Sequence, residues 1–147
     1  MIKKVTDDNA KEWAELCMEL WPDEPHHSVD YFLRLRKDGL FEDEFLYYDN
    51  GIPIAFLSLS IRNDYVEGTR ASPVAYIEGI YIRKEHQGKG ISRKFVAFAK
   101  EWGLKKNCNE LASDCLIENE NSRQWHNHVG FKEANVNVHF VMNLKDD

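Results

Sequence analysis

The sequence predicts an α/β (α+β) chain in which a mixed, mostly antiparallel sheet carries flanking helices. Three observations point there. Residues 74–102 read as strand, glycine loop and helix: β-branched and aromatic side chains fill Val74–Ile82, and Ile91, Phe95, Phe98, Ala99 and Trp102 then recur at helical spacing, with Gly103 as a terminator. Two strand-like runs, 42–48 and 52–61, meet at Asn50-Gly51, a dipeptide suited to a two-residue hairpin turn. The periodicity along the chain runs strand, two helices, three strands, helix, strand, helix and one or two strands, an order that calls for a mixed sheet.

Taken in order, Ile2–Val5 is a short strand. Thr6 and Asp7 are candidate caps for a helix that places Trp13, Leu16, Cys17 and Leu20 on one face and stops near Trp21-Pro22. A polar, proline-flanked connection follows, and Ser28 caps a second helix with Val29, Phe32 and Leu33 inward. After the hairpin comes a connection from Arg62 to Pro73, long enough to suggest a functional loop. The central strand alternates so that Val74, Tyr76, Ile80 and Ile82 share one face, with Glu78 on that same apolar face. Residues 110–113 form a strand, 119–129 a helix, and 130–144 the last strands.

Composition sets the limits. A chain of 147 residues with 43% hydrophobic and 12% aromatic content is one domain, 1–147, able to bury a core without staples. No window approaches the ~20 apolar residues of a membrane span, and the first residues do not read as a signal peptide, so the expected location is cytoplasmic. Cys17, Cys108 and Cys115 are odd in number and form no C-x-x-C pair, which indicates neither a disulfide framework nor a zinc site. His126 and His128, two apart on a helix, point in different directions, and no metal is expected. The formal net charge of −6 disfavours nucleic acid and suits cationic partners, though it also serves solubility alone.

The loop between strand and helix, Gln87-Gly88-Lys89-Gly90-Ile91-Ser92, brings backbone N–H groups to a helix N-terminus and makes an anion site. It fits neither the dinucleotide fingerprint nor the P-loop. It resembles the Q/R-x-x-G-x-G/A pyrophosphate loop of the GCN5-related N-acetyltransferases, with Gln87 and Gly90 matching and Ser92 replacing the usual small residue. The element order agrees with that fold. Ser60 to Gly68, Ser72-Pro73-Val74, Ile77 to Tyr81, Trp21-Pro22, Ala112-Ser113-Asp114, Glu118-Asn119 and His126 ahead of Gly130-Phe131 further resemble the aminoglycoside 6'-N-acetyltransferase branch, over nearly the whole chain.

The resemblance implies an acetyltransferase that uses acetyl-coenzyme A as co-substrate, acts on an aminoglycoside or another polycationic amine, and works as a homodimer. It implies that Gln87, Gly88, Lys89, Gly90, Ile91 and Ser92 hold the pyrophosphate. Ile80, Tyr81 and Ile82 would meet the pantetheine arm and thioester, and Asn119 would touch the coenzyme. His126 occupies the place of a tyrosine found in many members, four residues before the Gly-Phe pair. Trp21, Glu24 and Tyr65 would complete the acceptor pocket. Asn135 departs from relatives that carry an acid there.

The chemistry sets its own demands. An alkylammonium keeps its proton until near pH 10, so carboxylates must bind the cation and a path must remove its proton. Glu78 is the first candidate for both duties, and a strand carboxylate satisfied by a hydrogen bond or salt bridge is its plain alternative. Asp114 closes a strand end, where α/β sheets present ligand contacts, or is a loop or capping aspartate. Gly79 permits a bulge beside Glu78. Three other functions stand beside the leading one: transfer to a polyamine or protein amino group, a non-catalytic coenzyme A sensor, and a nucleotide-binding module.

Overall fold

The computed structural model describes residues 1–22 and 25–145. They divide into two compact units, Met1–Asp114 and a second beginning at Cys115. The first contains β1 (Ile2–Lys4), α1 (Ala10–Leu20), α2 (Val29–Lys37), β2 (Asp43–Asp49), β3 (Ile52–Arg62), β4 (Val74–Ile82), a 3₁₀ turn at Lys84–His86, α3 (Ile91–Lys105) and β5 (Leu111–Ala112). The second contains α4 (Glu120–His128). Among the described residues no helix is long and apolar enough to cross a membrane.

The sheet order is β1-β2-β3-β4-β5, antiparallel throughout except for the parallel β4–β5 pair. This is the mixed, mostly antiparallel sheet expected. The hairpin turn is as expected too: Asn50 and Gly51 adopt φ 51° and 77°, the left-handed pair that a twisted two-residue hairpin requires. Ser28 caps α2, its Oγ accepting from the Tyr31 N–H at 3.0 Å. For α1 the start differs. Asn9 Oδ1 accepts from the Thr6 N–H at 2.7 Å, so Thr6 and Asp7 belong to a turn ahead of the helix, which begins at Ala10.

The core has two faces. Trp13 of α1 is fully buried, and its Nε1 donates to Ser58 Oγ of β3 at 3.2 Å, satisfying both polar groups inside. Phe32, Phe41 and Phe56 meet the Trp13 ring edge-on. On the opposite face, Phe98 of α3 packs on Phe45 with centroids 4.6 Å apart, and Phe95 lies against Tyr47. Gly103 has a different job from the one its position suggests. It lies inside α3, where a Cβ would meet Ala75 Cβ at 2.9 Å, so it allows close approach of helix to strand rather than ending the helix.

Two further expectations change. The register of β3 on β4 pairs Ser58 with Gly79 and Leu59 with Ile77, which leaves Glu78 as the extra residue of a bulge. Direct partners share a face, so the bulge inverts the alternation: Val74 and Tyr76 share a face with Gly79 and Tyr81, while Ile80 and Ile82 lie with Ala75 and Ile77. The expected grouping of Val74, Tyr76, Ile80 and Ile82 is therefore split. The strands expected within 130–144 do not form among the described residues. Val136, Val138, Phe140 and Met142 keep the alternation of a strand but stand exposed, because a strand exists only where a neighbour completes its ladder.

Candidate active site

The bulge puts Glu78 at the centre of a polar cluster. Its carboxylate is gripped from β3 by Arg62, whose Nε donates to Oε2 at 3.1 Å and whose Nη2 donates to Oε1 at 2.8 Å. The same guanidinium lies over the Tyr76 ring, 3.4 Å from its centroid, and the Tyr76 hydroxyl donates to Asp114 Oδ2. Glu78 and Asp114, singled out separately from sequence, are thus joined through Arg62 and Tyr76. Burial, and then the hydrogen bond to Asp114, push the Tyr76 phenol well above the usual tyrosine range, so it is a firm donor. The bond to Glu78 raises the Arg62 guanidinium further and keeps it charged.

Glu78 thus has a local salt-bridge partner in Arg62. The chain offered one sign of its partner. Ser58, Ser60 and Arg62 alternate along β3, which marks a polar stripe on the face that Tyr76 shares. Neither Arg62 nor Tyr76 stood out beforehand, because a basic residue at a strand end and a tyrosine within a strand are both commonplace.

The long connection after β3 folds back over this cluster. Val66 is buried with Val74 and Tyr76, and Ala112 packs beside them, which pins the loop to the sheet. An open hollow of about 480 Å³ lies at its start, lined by Ile61, Arg62, Asn63, Asp64 and Tyr65. Tyr65 stands 76% exposed at its rim, offering a flat face.

Trp21 comes to the other side of the bulge. A Cβ on Gly79 would meet its Cη2 at 2.8 Å, so glycine here is what lets the indole settle on β4. Trp21 also stacks on Phe32 at 5.8 Å between centroids. Glu24 lies outside the described residues.

β4 and β5 pair only at Ala75–Leu111 and Tyr76–Ala112. From Ile77 to Ile82 that side of β4 has no strand partner among the described residues, so the backbone of Ile80, Tyr81 and Ile82 presents an open edge. Beyond it, Gln87 Nε2 donates to the Ile82 carbonyl at 2.9 Å and ties the loop to the strand end. Gly88 and Gly90 take φ 79° and 82°, and a Cβ on either would touch nothing within 4 Å. The glycines are there for backbone conformation, and the space above them is clear. Lys89, Ile91 and Ser92 complete the loop as α3 opens, directing first-turn N–H groups toward it.

In the second unit, Asn119 caps α4, its Oδ1 accepting from the Ser122 N–H at 3.1 Å. His126 Nδ1 lies 2.7 Å from the Ser122 carbonyl, to which it donates, and its ring packs against Trp125 and Phe131.

A carboxylate on a bulge, an open strand edge and a left-handed glycine loop in sequence meet comparison with known proteins here. Residues 7–131 match the acetyltransferase (GNAT) family. The chain belongs to that family. It is 34% identical over 135 residues to the aminoglycoside N(6')-acetyltransferase type 1 of Salmonella enteritidis, covering 90% of this chain and 92% of the relative. Its structure is similar to that of an aminoglycoside 6'-N-acetyltransferase from Acinetobacter haemolyticus, with TM-score 0.89, 32% identity and 99% of each chain covered. It is also similar to AAC(6')-Iy in complex with the bisubstrate analogue CoA-S-monomethyl-acetylneamine, with TM-score 0.88, 30% identity and 97% of each chain covered. The glycine loop and open edge thus sit in a GNAT sheet.

Proposed function

We propose that this GNAT protein transfers the acetyl group of acetyl-coenzyme A directly, in a ternary complex, to the 6'-amino group of aminoglycoside antibiotics. The observation that carries the reading is the Glu78–Arg62–Tyr76–Asp114 cluster, whose Arg62 also borders an open hollow with Tyr65, in a chain whose relatives are named for that reaction. Two carboxylates and an aromatic rim suit a polyamine sugar, one supplying charge and the other a surface for the ring.

Each part of the chain has a task in this reading. Gln87 to Ser92 receive the pyrophosphate, and the loop fits it: two left-handed glycines, clear space and a helix N-terminus make a cradle for an anion. The open edge at Ile80–Ile82 aligns the pantetheine arm as an added strand and turns a backbone N–H to the thioester carbonyl. Glu78 and Asp114 bind the acceptor's ammonium groups and take the proton that attack must release. Trp21, Tyr65 and Glu24 shape the acceptor pocket. For Asn119 and His126 a role toward the coenzyme and its leaving thiolate rests on the family resemblance, and each also has a local duty in α4.

One domain spanning 1–147, a cytoplasmic location and a homodimer complete the proposal. The family match across 7–131 supports the first. The exposed apolar residues between Val136 and Leu144 support the last, since such a run in water favours a partner. Light scattering during gel filtration tests it, a monomer mass being the contrary result.

The deciding experiment is thiol release from acetyl-coenzyme A with kanamycin, tobramycin, spermidine and a lysine peptide. Turnover on the aminoglycosides alone supports the proposal. Preference for spermidine or the peptide would transfer the site to another amine, and no turnover with intact coenzyme binding would make the protein a sensor.

A further inference from the structure

We propose that Arg62 is a resident counter-ion: without acceptor its guanidinium fills the cation position at Glu78, and the acceptor's ammonium enters by exchanging with it. This rests on the acetyltransferase reading of the site and adds a residue that sets acceptor affinity.

The contest is written in the geometry. Both Glu78 oxygens accept from Arg62, at 3.1 and 2.8 Å, so an ammonium arriving at that carboxylate meets a cation already there. The two partners are not equally held. The Glu78 side chain is 19% exposed and fixed on a bulge, whereas that of Arg62 is 41% exposed and ends a strand, its guanidinium otherwise resting on the Tyr76 ring, a contact it gives up when it leaves. Arg62 is therefore the partner that moves. It also lines the open hollow together with Asp64, so a second carboxylate borders the space into which it swings.

Exchange has a physical advantage over simple arrival. With Glu78 and Asp114 negative and Arg62 positive, the empty cluster carries one net negative charge rather than two. Swapping one cation for another leaves Glu78 compensated before and after, so neither state leaves a half-buried carboxylate without a partner. The cost falls on apparent affinity, which drops by the fraction of molecules in which Arg62 has let go. A guanidinium fork engages both carboxylate oxygens, and an ammonium acts as a point charge, so the resident is a strong competitor.

A positioning role for Arg62 predicts the opposite sign, because removing a residue that holds Glu78 in place weakens binding or slows turnover. Arg62→Gln and Arg62→Lys are compared with the wild type by calorimetric titration of neamine in the presence of coenzyme A, and by kcat and KM in the thiol-release assay. The expected result for Arg62→Gln is neamine binding tightened about fivefold, the scale of a partly exposed ion pair, with KM lowered in step. Arg62→Lys should fall between, since it keeps the charge and loses the fork. Acetyl-coenzyme A affinity equal to that of the wild type shows that a variant is folded. Unchanged or weaker neamine binding in folded Arg62→Gln overturns the inference. If that variant does not fold, Arg62→Lys decides alone: tighter binding supports exchange and unchanged or weaker binding overturns it. Wild-type protein that binds no neamine overturns the activity reading and this inference together, whereas wild-type binding without tightening in the variants overturns only the exchange.

Discussion

The proposed reaction asks two things of Glu78, to hold a cation and to take a proton, and substitution separates them. Glu78→Gln keeps shape and reach but removes charge and basicity. If Glu78 is the base, kcat should fall by about 10² and the acidic limb of the pH–rate profile should shift. If it only binds, KM rises at nearly constant kcat. Asp114→Asn is the necessary companion, because Tyr76 already donates to that carboxylate and the two acids lie in one network. Our expectation gives Glu78 the larger effect. A Glu78→Gln enzyme with normal turnover beside a crippled Asp114→Asn would reverse the assignment.

A third carboxylate matters for stability instead. Glu44 is 6% exposed in β2, and its nearest cation, Arg36, is 3.9 Å away. Burial, only partly offset by Arg36, raises its pKa from 4.5 to about 7. The sign follows from linkage: the folded state keeps this proton to higher pH than the unfolded one, so the contribution is full below pH 4.5 and is lost as pH rises through about 7. In urea melts, the stability difference between pH 5 and pH 8 should shrink by about 2 kcal/mol in Glu44→Gln. An unchanged difference would show that Glu44 ionises at no cost.

At the scale of elements, the junction of β4 with α3 is where backbone geometry is most specialised. Gly90 takes φ 82° with open space above it, so Gly90→Val strains the turn instead of colliding with a neighbour. Acetyl-coenzyme A binding measured by calorimetry should weaken tenfold or more, about 1.4 kcal/mol. Thermal stability should fall less, since the residue lies at an exposed helix start. Full-strength binding would remove the pyrophosphate assignment. Gly79 is the opposite case, closed in by Trp21 and Phe56. Its lack of a side chain seats the indole, and the bulge beside it aims Glu78.

For the whole molecule, a formal charge of −6 and the proposed acceptor contacts at Glu78 and Asp114 predict that acceptor binding depends on salt. Partly exposed charges are screened over ~8–10 Å at physiological salt, so KM for a polycationic acceptor should rise between 0.05 and 0.5 M salt, taken as about a tenfold range, while KM for acetyl-coenzyme A responds differently. An acceptor KM flat across that range would argue against the carboxylate-lined pocket.

Local patterns determined most of the architecture. The hairpin at Asn50-Gly51, the Ser28 cap and the strand–loop–helix of 74–102 all follow from short-range chemistry that a single segment carries. What only the tertiary structure decided are relations between segments. A bulge is a mismatch of two strands, so the inverted faces of β4 and the meeting of Glu78 with Arg62 were invisible in either strand alone. Gly103 has the sequence signature of a helix stop because its reason for being glycine, Ala75 at 2.9 Å, lies on another element. The alternation within 130–144 signalled strand, yet pairing depends on a neighbouring edge rather than on the segment's own residues. Tyr76 became part of the site through a hydroxyl that reaches Asp114, residues 38 apart in sequence, and no periodicity records a contact at that separation.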